Sequence, residues 1–295
     1  MANERVRAAG DYALAKTIFG ITNAFGLLPI GRALELAASI GRRVGPRTGR
    51  HRVVMDNLRL AMPEVSEAER QEIATEMWGH QARLVVEAAY PNRIFDLSPG
   101  SDRIEVTGLE HIAPDLEAGR PILFFTGHTG CFEFLPAVGV HHDFAMATLF
   151  RPPNNRYVAE RLLAQREMLN GLLIPASWGA AVTLRAELRA GRSVGLLVDQ
   201  KFRAGPMVDF FGHPAPTNPL VVKLSESTDR KVVPARCIRL PGNRYRVAVE
   251  KPLALVRRPS GKMDVEASLR LVNGTVERWV REYPEQWMWF HRRWG

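Results

Sequence analysis

Short apolar runs recur from about residue 104 onward, and helical patterns lie between them. The runs that predict strands are PILFFT (121–126), AMATLF (145–150), SVGLLV (193–198), VVPARCI (232–238) and YRVAVE (245–250). The patterns that predict helices cover residues 132–140, 155–171, 179–190, 219–229 and 265–281. Strands that alternate with helices in this way predict an α/β fold, in which a mostly parallel central sheet is covered by helices on both faces.

The first part of the chain, residues 12–95, carries helical patterns instead. Within it, Ser66 and Glu69 form a capping-box pattern that predicts the start of a helix. Neither an internal repeat nor a long Gly/Ser linker occurs. We therefore expect an N-terminal helical extension over residues 1–95, which associates with a membrane, and an α/β domain over residues 96–295.

The expectation of membrane association comes from a short apolar segment. Between Lys16 and Arg32 lie fifteen uncharged residues, fewer than the roughly 20 apolar residues that span a bilayer. The basic residues that follow are Arg42, Arg43, Arg47, Arg50 and Arg52. An apolar segment followed by clustered arginines is typical of an element that lies on an anionic membrane surface. The alternative is an amphipathic helix that packs on the protein's own core.

The charge balance points to anionic partners. Forty Lys and Arg against 31 Asp and Glu give a net charge of +9, which attracts polyanions. Anionic lipids, phosphorylated substrates and nucleic acids all qualify, but no zinc finger or basic–aromatic signature indicates nucleic acid. With 46% hydrophobic and 24% charged residues, neither intrinsic disorder nor a polytopic membrane protein fits. Cys131 and Cys237 lack CxxC spacing, which argues against a disulfide framework and a zinc ribbon.

The main candidate for chemistry follows the first apolar run, where GHTGCFEF places His128, Gly130 and Glu133 at a turn from strand to helix. If His128 lies in the loop and Glu133 in the first helical turn, the carboxylate accepts a hydrogen bond from one ring nitrogen and fixes the tautomer. The other nitrogen then acts as a general base. Backbone N–H groups from Gly130 to Phe132 are expected to stabilise an oxyanion or receive phosphate. Cys131 is either a nucleophile or, as we favour, a small buried apolar residue.

Two further polar groups follow predicted strands. Asp199 and Gln200 come directly after SVGLLV, where they would bind substrate hydroxyls, hold a cation or cap the next turn. The segment after AMATLF carries the arginines Arg151, Arg156, Arg161 and Arg166. Solvation at the surface is the default for an arginine, but one beside His128 would bind a phosphate or the thioester oxygen.

Several blocks of the sequence, taken in order, resemble one enzyme family. They are MDNLRLAMPE (55–64), GHTGCFEF (127–134), RPPNN (151–155), VDQ (198–200), DFFGHPAPT (209–217), VVPARCIR (232–239) and YPEQWMWFHRRW (283–294). The chain resembles the lipid A biosynthesis acyltransferases, the late acyltransferases with an H-x4-[DE] motif. The resemblance implies a glycerolipid acyltransferase-like fold. It also implies transfer of a fatty acyl chain, from acyl carrier protein or coenzyme A, to a hydroxyl of a lipid A precursor.

The resemblance also implies roles for particular residues. His128 and Glu133 become the catalytic dyad, with His128 as general base and Glu133 stabilising the imidazolium. The candidate substrate-binding residues are Arg151, Arg166, Asp199 and Gln200. A donor near Gly130 or the Arg166 side chain carries the oxyanion, and the reaction uses no metal and no cofactor. Cys131 and Phe132 stand where the family often has Asn and Trp, which leaves acyl chain length open.

The implied location is the inner membrane, with the protein peripheral or held by a single anchor and its active site facing the cytoplasm. Its partners would be the acyl donor, an anionic glycolipid acceptor and the membrane surface, without nucleic acid. A phosphatidylinositol mannoside or other glycolipid acyltransferase is the alternative that keeps the chemistry. A nucleic-acid-binding protein is suggested by charge alone. The intact His128 and Glu133 argue against a non-catalytic membrane scaffold.

The last residues of the chain have two interpretations. The basic and aromatic ones are Trp287, Trp289, His291, Arg292, Arg293 and Trp294. Together they form an aromatic–cationic edge at a membrane interface, or else the tryptophans belong to the core.

Overall fold

The computed structural model describes residues 2–98, 100–167 and 171–294, without the side chains of residues 2–8 and 165–167. The strands in this part of the chain are β1 (Ile104–Thr107), β2 (Leu123–Thr126), β3 (Met146–Phe150), β4 (Leu172–Pro175), β5 (Ser193–Leu197), β6 (Met207–Phe210), β7 (His213–Pro216), β8 (Val232–Leu240) and β9 (Arg244–Val249). The five apolar runs correspond to β2, β3, β5, β8 and β9, so the predicted strands are confirmed.

The α-helices of the same residues are α1 (Ala2–Gly26), α2 (Ile30–Val44), α3 (His51–Ala61), α4 (Glu67–Ala89), α5 (Ala113–Glu117), α6 (Leu135–His141), α7 (Arg156–Glu167), α8 (Ala180–Arg189), α9 (Leu220–Thr228) and α10 (Val265–Glu282). The five helical patterns of the α/β part correspond to α6 through α10, except that residues 168–170 lie outside the described residues. At the start of α4, Ser66 Oγ accepts a hydrogen bond from the Glu69 N–H at 3.3 Å. Glu69 Oε2 accepts one from the Ser66 N–H at 3.0 Å, which confirms the capping box.

Seven strands form one sheet in the order β1-β9-β8-β2-β5-β3-β4. β8 and β9 pair antiparallel, whereas every other neighbouring pair that the described residues form in this sheet is parallel. β6 and β7 form a separate antiparallel hairpin. The prediction of a mostly parallel sheet is confirmed. β2, β5 and β3 end at the same edge, where ligands bind in sheets of this kind.

Helices cover both faces of the sheet, as predicted, because successive side chains of a strand point to opposite faces. Phe125 of β2 packs in a core shared with α8, α9 and α10, and its ring lies 6.0 Å from that of Trp279. Phe124 packs in a second core together with Leu116 of α5 and Leu135 of α6.

The N-terminal helices share the core of the sheet. Met77 of α4 is fully buried in the same cluster as Phe125. The same helix carries Glu87, which is fully buried and accepts hydrogen bonds from Arg239 at 2.8 and 2.5 Å and from the Tyr245 hydroxyl at 2.8 Å. Because an unpaired buried charge is strongly destabilising, this ion pair holds α4 against β8 and β9.

The first two helices bury one face and expose another. α2 buries Ala33, Leu34, Ala37 and Ala38. The apolar residues that α1, α2 and α4 leave exposed include Ile21, Leu36, Ile40, Val44 and Val85. Among the described residues, no helix combines the length and the apolar character needed to cross a membrane.

Candidate active site

A cavity of about 600 Å³ extends into the fold from the carboxyl ends of the central strands. Its lining includes His128 after β2, Arg151 after β3 and Gln200 after β5, so three predicted site residues lie at one opening. Glu133, in the 3-10 turn Phe132–Phe134 that leads into α6, also lines the cavity. Most of the remaining lining is apolar and includes Phe124, Leu135, Val138, Phe144, Met146, Leu173 and Val249.

The loop that carries His128 is held by backbone hydrogen bonds on two sides. The Gly130 N–H donates to the Gln286 carbonyl at 2.9 Å, and the Cys131 N–H donates to the Cys237 carbonyl at 3.0 Å. Gly130 has a φ of +55°, and a Cβ there would lie 1.9 Å from the Cys237 oxygen, so the turn requires glycine. The prediction that these two N–H groups stabilise an oxyanion is wrong, because both already donate to carbonyls of the fold.

Asp199 holds the His128 ring. Asp199 Oδ1 lies 2.7 Å from His128 Nδ1, and Oδ2 accepts a hydrogen bond of 2.7 Å from the His128 backbone N–H. Trp287 Nε1 also donates to Oδ2 at 2.7 Å, so the Asp199 carboxylate makes three hydrogen bonds. We expected the Glu133 carboxylate to hold one ring nitrogen of His128, whereas the carboxylate on Nδ1 is that of Asp199. The cause is the strand register, since Thr126 pairs with Leu197 and the residues two places further on therefore lie side by side.

These contacts determine the protonation of the site. Burial alone would raise the pKa of Asp199, but the charge and hydrogen bonds of His128 and the hydrogen bond of Trp287 lower it to about 2. Asp199 is therefore a carboxylate near neutral pH and only accepts hydrogen bonds. Because this carboxylate only accepts, Nδ1 of His128 must donate to it, and in the neutral form of the ring the lone pair is then on Nε2. The Gln200 amide nitrogen lies 3.0 Å from His128 Nε2, in reach of that lone pair.

The predicted substrate-binding residues differ in their positions. Asp199 is 4% exposed, and its carboxylate contacts His128 and Trp287 rather than a site open to substrate. Arg151 and Gln200 are exposed at the opening of the cavity. Arg166 belongs to α7, but its side chain lies outside the described atoms, so its role remains a prediction.

The residues after α10 contribute to the site in a way that the sequence did not indicate. Trp287 binds Asp199, and the Met288 N–H donates to the His128 carbonyl at 3.2 Å. Trp289 is fully buried, and so is Arg293, which donates to the Pro216 carbonyl at 2.7 Å. The core interpretation is confirmed for Trp287 and Trp289. The interpretation as a membrane-facing edge is wrong for these two tryptophans and for Arg293.

Cys131 also belongs to the core. Its side chain is fully buried, and burial raises the pKa of its thiol. The preferred interpretation as a small apolar residue is confirmed, because a buried thiol with a raised pKa supplies little thiolate.

An imidazole held by a carboxylate at the opening of a mostly apolar cavity combines a general base with a place for a hydrocarbon chain. Fold and site together are those of an enzyme that transfers acyl chains. The family model for the bacterial lipid A biosynthesis acyltransferases matches residues 5–295. The chain belongs to this family and is an O-acyltransferase, as the resemblance implied.

Two curated relatives agree with this assignment. The chain is 23% identical over 262 residues to the lipid A biosynthesis acyltransferase of Haemophilus influenzae, a match that covers 86% of this chain and 79% of the relative. It is 26% identical over 268 residues to the lipid A biosynthesis myristoyltransferase of Escherichia coli K12, which covers 86% of this chain and 78% of the relative.

Proposed function

We propose that this enzyme transfers a fatty acyl chain from an acyl thioester to a hydroxyl group of a lipid A precursor. The observation that carries the proposal is the His128 ring, which Asp199 holds at the opening of an apolar cavity. The family supports the lipid A-type acceptor, and one relative is named as a myristoyltransferase. Acyl carrier protein or coenzyme A presents the thioester.

In the proposed reaction the acceptor hydroxyl takes the position of the Gln200 amide beside His128 Nε2. Nε2 removes the hydroxyl proton while the oxygen attacks the thioester carbonyl carbon. Asp199 stabilises the imidazolium that results. The tetrahedral intermediate collapses, the C–S bond breaks, and the leaving thiolate takes the proton from Nε2. The steps need no covalent acyl-enzyme, no metal and no cofactor.

The other site residues act by their charge. Glu133 lines the cavity with His128, and its negative charge further favours the imidazolium. Arg151 lies at the opening, where its guanidinium binds the anionic part of the acceptor or the developing oxyanion. Arg166 keeps the substrate-binding role that the resemblance implies. In place of substrate binding, we assign Asp199 to holding His128.

The proposal includes attachment to the cytoplasmic side of the inner membrane by the N-terminal helical region. Exposed Ile40 and Val85 line a shallow apolar groove with Ile21. The nearby end of α2 is basic, with Arg42 and Arg43 in its last turn. Apolar side chains beside arginines suit an anionic bilayer surface.

Cosedimentation with anionic vesicles tests the attachment. Replacing Ile40 and Val85 together with aspartate is expected to release the protein from the vesicles. The matched control is Leu271→Asp, because Leu271 is exposed on α10, outside the groove. Equal vesicle binding by the wild type, the double variant and the Leu271→Asp control would refute the attachment.

The activity itself is tested by mass spectrometry of acceptor lipids. The purified enzyme receives a myristoyl thioester and either a lipid A precursor or a phosphatidylinositol mannoside. We expect the mass of one acyl group to be added to the lipid A precursor. His141→Ala should retain the activity, because His141 is exposed at the end of α6 and does not line the cavity. Acylation of the mannoside alone would contradict the proposed acceptor.

A further inference from the structure

One row of residues crosses the sheet beneath the cavity. Backbone pairing places Phe124 of β2 beside Gly195 of β5, Gly195 beside Thr148 of β3, and Thr148 beside Leu173 of β4. All four residues line the cavity. Residues paired in register across parallel strands face the same side of the sheet, and a Cβ at position 195 would lie 3.2 Å from Thr148 Cγ2 on that side. Gly195 is the member of this row that contributes no side chain.

Gly195 retains accessible surface although its strand lies between two others. Its neighbours Val194 and Leu196 are 0% and 4% exposed, whereas Gly195 is partly exposed. Because β5 is flanked by β2 and β3, this accessible surface faces the cavity. The glycine backbone therefore forms part of the cavity wall.

Along β5, the residues that line the cavity end at Gly195, and we call this inner end of the cavity its floor. Ser193, two residues further from the catalytic edge, is 2% exposed, and its hydroxyl accepts a hydrogen bond from the Ile122 N–H at 3.0 Å. In the other direction, Asp199 lies four residues along the chain from Gly195. At about 3.3 Å per residue, the floor lies about 13 Å below the level of the Asp199 carboxylate that holds His128.

The backbone does not require glycine at this position. The φ of Gly195 lies outside the left-handed region that favours glycine. A Cβ there would lie 3.2 Å from Thr148 Cγ2 and 3.6 Å from Met146 Cε, so a methyl group fits after a small shift. The missing side chain thus leaves space in the cavity and serves no turn.

We propose that Gly195 sets the length of the acyl chain that this enzyme accepts. The inference rests on the proposed function, in which the chain enters the cavity with its carbonyl carbon beside His128. Its methyl end then reaches the floor formed by Gly195 and Met146. A larger residue at position 195 raises that floor and excludes the last carbons of the chain.

The test compares kcat/KM for a series of acyl thioesters, from octanoyl to palmitoyl, with the same acceptor. Each buried methylene contributes roughly a fourfold factor, so Gly195→Ala should lower the ratio of the longest accepted chain to the next shorter one by about fourfold. Gly195→Val should shift the preferred chain to a shorter one. The matched control is Val194→Ala, because Val194 is buried in the core on the other face of the sheet and does not line the cavity. This variant should be less stable than the wild type but should prefer the same acyl chain length.

The outcomes separate this inference from the proposed function. If the wild-type enzyme transfers no acyl chain from any thioester, the proposed function fails. If the wild-type enzyme is active and the folded Gly195→Ala enzyme keeps the wild-type ratio, the role of Gly195 is overturned. The alanine variant decides the question even where the valine variant does not fold, because its methyl group needs only a small shift of the Thr148 side chain.

Discussion

Replacing Asp199 with asparagine is expected to remove most of the acyl-transfer activity while the fold persists. In the native site Oδ1 faces His128 Nδ1, and Oδ2 accepts from the His128 backbone N–H and from Trp287 Nε1. An asparagine keeps the last two hydrogen bonds when its oxygen takes the Oδ2 position. Its amide nitrogen then faces Nδ1 and donates a hydrogen bond to it.

This reversal moves the ring proton. When Nδ1 becomes an acceptor, the neutral His128 ring carries its proton on Nε2, which then cannot take a proton from an alcohol. The corresponding aspartate-to-asparagine change in the triad of serine proteases lowers kcat by about 10⁴-fold. Since Asp199 likewise bonds to Nδ1 of the catalytic histidine, we expect kcat to fall by about 10³- to 10⁴-fold.

The assay is steady-state transfer from a myristoyl thioester, with the melting temperature measured in parallel. Glu133→Gln is the matched comparison, because it removes one negative charge from the same cavity and leaves the Asp199–His128 hydrogen bond in place. The Asp199 variant should lose more activity than the Glu133 variant. A folded Asp199→Asn enzyme with a kcat close to wild type, or a larger loss in Glu133→Gln, would refute the reasoning.

Three further substitutions have expected outcomes. Trp287→Phe removes one hydrogen bond to the buried Asp199 carboxylate, so the pKa of Asp199, measured by titration, should rise above about 2. The kcat of this variant should fall less than that of Asp199→Asn. Gly130→Ala should lower the free energy of unfolding in urea by at least about 1–3 kcal/mol, because φ is +55° and the Cβ meets the Cys237 carbonyl. Burial and nearby arginines lower the pKa of His80 from 6.5 to about 3, so the unfolded chain binds the proton first and stability falls as the pH drops below 6.5. In His80→Gln, the free energy of unfolding in urea should fall by about 1.4 kcal/mol less than in the wild type when the pH is lowered to 5.5. The same pH dependence in both proteins would contradict this expectation.

Strands were predictable where a continuous apolar run indicates a strand that is buried on both faces of the sheet. PILFFT and SVGLLV, which form β2 and β5, are examples. The hairpin of β6 and β7 was not predicted, because Pro214 and Pro216 argue against a strand. A two-stranded hairpin tolerates them, since each strand has one unpaired edge.

The sequence linked residues of the site to each other only where they lie close together along the chain. His128 and Glu133 are five positions apart and visible as one motif. Asp199 lies 71 residues from His128, and Trp287 lies 88 residues from Asp199. Their contacts depend on which strands are neighbours in the sheet and on where the segment after α10 packs. Its position at the end of a strand identified Asp199 as a site residue. That His128 is its partner depends on the parallel register of β2 and β5, which the sequence does not show.

The most direct test of the central claim is the rate of acyl transfer by His128→Ala with a lipid A precursor as acceptor. The variant should keep the wild-type circular dichroism spectrum, because His128 lies at the cavity opening rather than in the core. We expect its kcat to fall by at least about 10²- to 10⁴-fold, the contribution of a general base. A folded His128→Ala enzyme that adds the acyl group at the wild-type rate would contradict the account.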